Sequence, residues 1–159
     1  MPERVYIETT FVSYLTARPS RDVVIAGHQQ VTHDWWNSRR TNYELCVSEL
    51  VLDEAGAGDA QAAQERLLVF QPMLVIETTT EAFELAEELL RAGALPRKAA
   101  SDALHIAVAA TKAIPYLLTW NCRHLANATM RPVIEAVCIA KGLKAPIICT
   151  PEELLESMP

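Results

Sequence analysis

The chain has 159 residues, of which 50% are hydrophobic and 21% are charged. This balance predicts a single globular domain over residues 1–159 and excludes both a disordered chain and two ordinary domains. The formal net charge of −6 argues against broad nucleic-acid binding through a positive surface. It remains compatible with a phosphodiester bound through a metal ion, because the cation reverses the local charge.

The first half of the chain alternates strand patterns with helical patterns. In chain order these are a strand at 5–7, helices at 10–15 and 21–40, a strand at 45–47, a helix that Ser48 caps and Gly56 ends, and a helix that Asp59 caps and that runs to Phe70. In the helix at 21–40, the residues Val24, His28, Val31 and Trp35 fall on one face at helical spacing. We expect this face to pack against the rest of the domain.

The second half continues the alternation. It predicts a strand at 73–76, helices at 80–91 and 99–112, a strand at 116–120, a helix at 132–141, a strand at 147–149 and a last short helix opened by Pro151. The strand at 116–120 is apolar throughout, which favours an interior position in the sheet. Strands that alternate with helices imply right-handed βαβ units. We therefore predict an α/β fold with three layers, α/β/α, around a mostly parallel five-stranded sheet.

The cysteines and the first residues indicate the compartment. The four cysteines are Cys46, Cys122, Cys138 and Cys149, and they form no CxxC pair or short Cys/His spacing. Their mostly apolar neighbours are typical of buried thiols in a reducing compartment and argue against zinc. No signal peptide is evident, and no apolar run approaches the roughly 18 residues that span a bilayer. We therefore predict a cytoplasmic protein without a membrane span.

Several polar residues directly follow predicted strands. Glu8 follows the first strand, Ser48 follows the second with Glu49, Asp53 and Glu54 close behind, and Thr119 and Asn121 end the fourth. Asp102 begins the helix that leads into the fourth strand and should start near the same edge. Ligands of open α/β sheets bind beyond the carboxyl ends of the strands. Since Mg²⁺ prefers oxygen ligands and clustered carboxylates repel one another without a cation, this edge predicts a Mg²⁺ or Mn²⁺ site.

Each of these residues also has an ordinary structural explanation. Glu8 could favour a helix N-terminus, and Asp102 could complement a helix dipole beside Ser101 as a candidate cap. Asn121 could be a turn residue, and Glu54 could lie on a solvated helix face. In the last case Glu49 or Asp53 would replace Glu54 as the ligand.

Three further residues favour structural roles over binding roles. His105 lies one turn after Asp102 and is better explained as a packed helix residue than as a ligand. Trp35 and Trp36 are better explained as core or dimer-interface residues than as platforms on which bases stack.

The segments around the polar residues resemble the PIN-domain ribonucleases, in particular the VapC-like toxins of prokaryotic toxin–antitoxin pairs. The resemblance rests on the order and spacing of four segments, which are residues 5–15, 47–54, 101–110 and 117–125. It covers nearly the whole chain. It implies the three-layer fold, an endoribonuclease that depends on Mg²⁺ or Mn²⁺, an RNA substrate, a homodimer and a separately encoded antitoxin.

The resemblance also implies roles for individual residues. Glu8, Glu54, Asp102 and Asn121 match the four acidic positions that hold the metal, and Thr119 matches an assisting hydroxyl residue. Asp102, Glu8 and Glu54 would then hold the metal, while Asn121 and Thr119 would orient a water or the scissile phosphate. Candidate phosphate contacts are Arg18, Arg39, Arg40, Arg97, Lys98 and Arg123.

Two departures from the family pattern leave an alternative open. Glu8 stands where Asp is usual, and Asn121 stands where an acid is usual. The alternative is a catalytically weak or inactive PIN-like protein that acts as a partner- or RNA-binding module. Another phosphoryl-transfer enzyme is disfavoured because the chain has no DxDxT-like motif after the first strand and no Gly-rich phosphate loop.

Overall fold

Five strands and seven α-helices form in residues 2–155, which are the residues described by the computed structural model. Met1 and residues 156–159 of the predicted domain lie outside the described residues. The strands are β1 Arg4–Ile7, β2 Glu44–Ser48, β3 Leu74–Ile76, β4 Tyr116–Leu118 and β5 Ile147–Cys149. The helices are α1 Thr9–Thr16, α2 Val23–Arg39, α3 Glu49–Ala55, α4 Ala60–Phe70, α5 Thr80–Arg91, α6 Ala100–Thr111 and α7 Arg131–Ala140.

The strands form one sheet in the order β3-β2-β1-β4-β5, and all four strand pairs are parallel. β1 lies in the middle, with Val5 opposite Leu45 of β2 and Tyr116 of β4. Val5, Tyr6 and Ile7 are fully buried, as expected for a strand covered on both faces. The strand order reverses between β1 and β4, so this pair is the switch point of the sheet.

The helices form two packed groups that complete the three layers. Helix α1 packs against α2, α3 and α4, whereas α5 packs against α6 and α7. The predicted α/β/α fold is therefore confirmed. Within residues 2–155 no helix is both long and apolar enough to span a bilayer.

The predicted helix caps are confirmed at two positions. Ser48 accepts a hydrogen bond from the Val51 N–H at the start of α3, and Asp59 accepts one from the Ala62 N–H at the start of α4. These caps satisfy backbone donors that have no partner within the helix. The backbone therefore turns sharply after β2, and α3 begins directly at the carboxyl end of the sheet.

Two details of the prediction are wrong, and the predicted face of α2 is only partly buried. Ser101 does not cap α6, because a 3₁₀ turn at Arg97–Ala99 moves the start of the helix to Ala100. Residues 151–155, where a helix was predicted after Pro151, form a turn. In α2 the Val24 side chain is 65% exposed, and polar Gln29 and Thr32 are buried beside Trp35 instead.

Three of the four thiols are buried, and the fourth lies at the surface. Cys46, Cys138 and Cys149 are buried free cysteines, whereas Cys122 is exposed. Burial raises the pKa of Cys46 and Cys149 to about 12 each. These two thiols are therefore packed as small apolar side chains and are poor nucleophiles.

Substitution of Leu117 by alanine should destabilise the domain by about 2–5 kcal/mol, because a buried leucine in β4 is replaced by a cavity. The matched control is Leu68→Ala on α4, where the side chain is 59% exposed and the expected change is within about 0.5 kcal/mol. Urea denaturation followed by circular dichroism measures both. Equal effects of the two substitutions would contradict the interior position of β4.

Candidate metal centre

The predicted acidic residues lie at the switch point of the sheet. Glu8 directly follows β1, and its backbone N–H donates to the Leu118 carbonyl of β4 at 3.0 Å. Thr119 directly follows β4, so the two residues extend neighbouring parallel strands beyond their carboxyl ends. The pairing of β1 with β4 thus brings residues that are far apart in sequence to one place.

Two threonine hydroxyls hold the carboxylate of Glu8, which is only 4% exposed. Its Oε1 accepts hydrogen bonds from Thr10 Oγ1 and Thr119 Oγ1, each at 2.5 Å. Each hydroxyl oxygen in turn accepts a backbone N–H at 2.9 Å, Thr10 from Trp120 and Thr119 from Asn121. Since an ionised carboxylate can only accept, both hydroxyl hydrogens are directed at Glu8, while the hydroxyl oxygens accept the two N–H groups.

Burial raises the pKa of Glu8 above its ordinary value. The charge of His105 and the hydrogen bonds from Thr10 and Thr119 act in the opposite direction but do not outweigh burial. Ionised Glu8 is therefore unfavourable in the metal-free protein, and a bound cation would remove that cost.

Glu54 lies on α3 and faces Glu8. Its Oε1 accepts hydrogen bonds from Thr9 Oγ1 at 2.6 Å and from His105 Nε2 at 2.8 Å. Burial raises the pKa of Glu54. The hydrogen bond and charge of His105 and the hydrogen bond from Thr9 lower it by more than burial raises it, so the net shift is downward. Glu49 and Asp53 are exposed, and so Glu54 is the acidic residue of α3 that lies at the site.

Glu8, Glu54 and His105 lie close enough to share one ion. One ligand atom from each lies within 4.8 Å of the other two. His105 is fully buried on α6, in agreement with a packed helix residue, but it also contacts a site carboxylate. Sequence considerations assigned it only the packing role.

Asp102 lies in the first turn of α6 and forms a second cluster with Asn121 and His124. Asn121 Nδ2 donates to Asp102 Oδ1 at 3.2 Å, and His124 Nδ1 lies 3.3 Å from Asp102 Oδ2. Burial raises the pKa of Asp102, the charges of His105 and His124 lower it, and that of Glu54 raises it further, with a net upward shift. Asp102 and Glu54 are thus electrostatically coupled.

The amide of Asn121 has a defined orientation. Its Oδ1 accepts the backbone N–H groups of Arg123 at 3.2 Å and His124 at 3.0 Å. Since only the carbonyl end of an amide can accept these hydrogens, the NH₂ group must face Asp102. A role for the Asn121 oxygen as a metal ligand stays a prediction and requires this amide to turn.

His124 was not singled out in the sequence. The only local signal is its position three residues after Asn121, which allows the side chain of Asn121 to close a turn that returns His124 to the site. Its contact with Asp102 depends on the packing of α6 beside β4. No local pattern contains that information.

Of the other residues predicted to contact a ligand, Thr119 lies at the site, and three arginines lie elsewhere or pair within the chain. Thr119 is fully buried and donates to Glu8, so its hydroxyl orients a carboxylate. Arg39 and Arg40 precede β2 at the edge of the sheet opposite the acidic residues, where Arg39 donates to the Leu155 carbonyl and Arg40 to the Trp36 carbonyl. Their role as phosphate contacts stays a prediction. Arg97 pairs with Glu87 at 3.0 Å.

The remaining predicted cations are exposed, whereas the two predicted tryptophans are buried or partly buried. Arg18, Lys98 and Arg123 are exposed. Trp35 is fully buried in the core, as predicted, and Trp36 is partly buried with the guanidinium of Arg40 at 4.9 Å from its ring centroid.

Comparison with known proteins shows similarity in structure and none in sequence. No protein-family model matches the chain, and no curated protein matches it. The Mycobacterium tuberculosis protein VapC20, a sarcin–ricin loop cleaving toxin, matches with a TM-score of 0.59 and 18% identity over 76% of this chain and 92% of that chain. A chain of the Rickettsia felis VapBC2 complex bound to a promoter DNA fragment matches with a TM-score of 0.60 and 14% identity over 92% of this chain and 98% of that chain.

At these identities the similarity is one of fold. It confirms the predicted PIN-like architecture and, at the level of fold, the resemblance to VapC-like proteins.

In the presence of a chelator near neutral pH, Glu8→Gln should raise the Tm by about 2–4 °C, which corresponds to roughly 1 kcal/mol. The folded-state pKa of Glu8 is raised, so its contribution to stability is lost as the pH rises through that value, whereas glutamine stays neutral and still accepts both hydroxyls. The Tm difference should therefore shrink as the pH falls toward 4.5, the ordinary pKa of a glutamate. Differential scanning fluorimetry across pH measures it.

The control for this prediction is Glu49→Gln, which removes the same charge from an exposed position on the neighbouring helix. It should not raise the Tm at any pH, because Glu49 lies in the first turn of α3, where the helix dipole favours a negative charge. A lower Tm for Glu8→Gln in chelator would contradict the destabilising effect of the buried charge.

Proposed function

We propose that this chain is a Mg²⁺- or Mn²⁺-dependent endoribonuclease of the PIN/VapC-like type. The observation that carries the proposal is the approach of Glu8 and Glu54 to within 4.8 Å at the switch point of the sheet, with Asp102 electrostatically coupled to Glu54. The shared fold supports it, since VapC20 is a toxin that cleaves the sarcin–ricin loop.

The side chains fit a hard divalent cation. Carboxylate oxygens are the donors that Mg²⁺ and Mn²⁺ prefer. Burial raises the pKa of both Glu8 and Asp102, so a cation bound beside them would stabilise their ionised forms. Glu8, Glu54 and Asp102 would hold the ion, and Asn121 would join them if its amide turned. When bound, such an ion polarises a phosphate oxygen and lowers the pKa of a bound water.

The remaining residues of the site orient these ligands. Thr10 and Thr119 fix Glu8 through their hydroxyl hydrogens. Asn121 and His124 hold one carboxylate oxygen of Asp102 each. Rigid support of this kind is what a reaction with fixed geometry requires.

Two exposed cations flank the site and are the best candidates for contacts with RNA phosphates. Lys98 lies in the 3₁₀ turn that precedes α6, whose first turn carries Asp102, and Arg123 lies in the turn closed by Asn121. Exposed side chains at these positions can bind the phosphates on either side of the cleaved bond without entering the acidic cluster. They would supply the local positive charge that the chain lacks as a whole.

The proposed partners rest on the similarity of the fold to VapC-like proteins. The VapBC2 structure is a complex bound to a fragment of promoter DNA. We therefore include in the proposal a separately encoded antitoxin, a homodimer and a cytoplasmic location, where RNA is accessible and the buried free thiols stay reduced.

A second candidate function is a weak or inactive module that binds RNA or a partner. The orientation of Asn121 favours it, because this amide donates to Asp102 and its oxygen already accepts two backbone N–H groups. Isothermal titration with Mn²⁺ separates the candidates. Binding below millimolar metal supports the enzyme, and no binding supports the module.

Asp102→Asn should reduce Mn²⁺-dependent cleavage of a mixed RNA pool by at least about 100-fold, since loss of a direct ligand should cost more than loss of an outer-shell partner. Gel analysis of the RNA and Mn²⁺ titration of the same preparations provide the measurement. Asp53→Asn is the control, because Asp53 is exposed on α3, and it should cleave like the wild type. Intact cleavage and intact Mn²⁺ affinity in Asp102→Asn would rule out the assignment.

Asn121→Asp should tighten Mn²⁺ binding about 10-fold by adding a fourth carboxylate, and it should lower the Tm in chelator. The new carboxylate can still accept the N–H groups of Arg123 and His124, but it replaces a donor 3.2 Å from Asp102 Oδ1 with a like charge. Asn37→Asp on the exposed surface of α2 adds the same charge as a control. Unchanged Mn²⁺ affinity would place residue 121 outside the coordination of the metal.

A further inference from the structure

A buried chain of hydrogen bonds runs behind the acidic cluster and ends on Glu54. Ser48 Oγ lies 2.7 Å from the Tyr6 hydroxyl, which lies 2.7 Å from His105 Nδ1. His105 Nε2 lies 2.8 Å from Glu54 Oε1. Ser48, Tyr6 and His105 are fully buried, so water does not compete for these contacts.

The direction of each hydrogen bond follows from the chemistry of its end. An Nε2 lone pair at 2.8 Å from a carboxylate oxygen would be repulsive, so Nε2 carries a hydrogen that points to Glu54. In the neutral ring Nδ1 then accepts the Tyr6 O–H, and the Tyr6 oxygen accepts the Ser48 O–H. Every hydroxyl hydrogen in the chain of four residues has an acceptor in this arrangement. In the protonated ring both nitrogens donate, so Nε2 donates to Glu54 in either state of the ring.

The opposite tautomer satisfies fewer groups. With the hydrogen on Nδ1, the ring would donate to Tyr6 and Tyr6 would donate to Ser48. The Ser48 hydroxyl would then have no acceptor among these residues, and the Nε2 lone pair would face Glu54 Oε1. Both changes are costly in a buried position.

We propose that His105 is a positioning residue of the metal centre, which holds Glu54 toward Glu8 through its Nε2–H and is itself oriented by Tyr6 and Ser48. The proposal rests on the proposed function, since it concerns a ligand of that site. It also determines what His105 does not do. One ring nitrogen of His105 lies within 4.8 Å of both carboxylates, but the hydrogen on Nε2 occupies the position through which that nitrogen would bind a metal.

The hydrogen-bond direction can be tested on the metal-free chain. Two-bond ¹H–¹⁵N correlation spectra distinguish the two imidazole nitrogens, and His105→Gln identifies the signals that belong to His105. We expect the hydrogen on Nε2. A ring with its hydrogen on Nδ1 alone would overturn the proposal, and this outcome is independent of any metal or nuclease activity.

The positioning role can be tested by Mn²⁺ titration calorimetry of the full chain. His105→Leu should weaken binding by about 10- to 100-fold, which is typical for loss of an outer-shell partner. His105→Gln should recover part of the loss, because its amide can still donate to Glu54. Tyr6→Phe should weaken binding by a smaller factor although it touches neither Glu8 nor Asp102, and unchanged affinity would remove Tyr6 from the proposal.

Pulsed electron paramagnetic resonance of bound Mn²⁺ separates positioning from direct ligation. If His105 were a ligand, the Mn²⁺ spectrum of the wild type would show a ¹⁴N coupling that is absent from His105→Gln. We expect the wild type to show no such coupling, and its presence would overturn the proposal. If circular dichroism shows that His105→Leu does not fold, the glutamine variant and the spectra of the wild type decide between positioning and ligation.

Absence of Mn²⁺ binding to the wild type would overturn the proposed function and the role of His105 with it. Normal binding with unchanged affinity in both His105 variants would overturn the role of His105 alone.

Discussion

The constraint on which the site depends is the burial of carboxylates that repel one another. Glu8 is almost fully buried, and an ionised carboxylate in that position must be compensated by hydrogen-bond donors or by a cation. The chain supplies the hydroxyls of Thr10 and Thr119, which donate to Glu8 and whose oxygens accept backbone N–H groups of residues that follow β4. The pairing of β1 with β4 therefore does more than build the sheet, because it also places the donors that allow Glu8 to be buried.

The two acidic clusters are supported in different ways. Glu54 is held from the inside of the domain by the buried ring of His105, and its pKa is lowered. Asp102 is held from the outside by Asn121 and His124, and its pKa is raised. The opposite shifts mean that the protein favours the ionised form of Glu54 and disfavours the ionised forms of Asp102 and Glu8, so a bound cation would remove a cost at the latter two.

The sequence was sufficient to predict the fold and the positions of the carboxylates, because both depend on local patterns. Strand and helix periodicity sets the order of elements, and parallel strands bring the residues that follow them to one edge. The hydrogen-bond partners could not be predicted in this way. The contact of His105 with Glu54 depends on how α6 is rotated against β1, and that of His124 with Asp102 depends on a turn closed by Asn121. Ser101 shows the same limit, since a 3₁₀ turn places the N-cap of α6 at Ala99, two residues before the good capping side chain of Ser101.

The amide at position 121 is better understood with His124 than as a lost acid. An acid there would add a fourth negative charge to a site in which Glu8 and Asp102 already have raised pKa values. Asn121 instead donates to Asp102 and, through its oxygen, closes the turn that brings His124 to the other oxygen of the same carboxylate. The Asn121 side chain thus forms a hydrogen bond where an acid would repel Asp102, and it also holds the turn that places His124 against Asp102. The consequence is a site that needs a cation less for its stability, and whose affinity for one is set mainly by Glu8, Glu54 and Asp102.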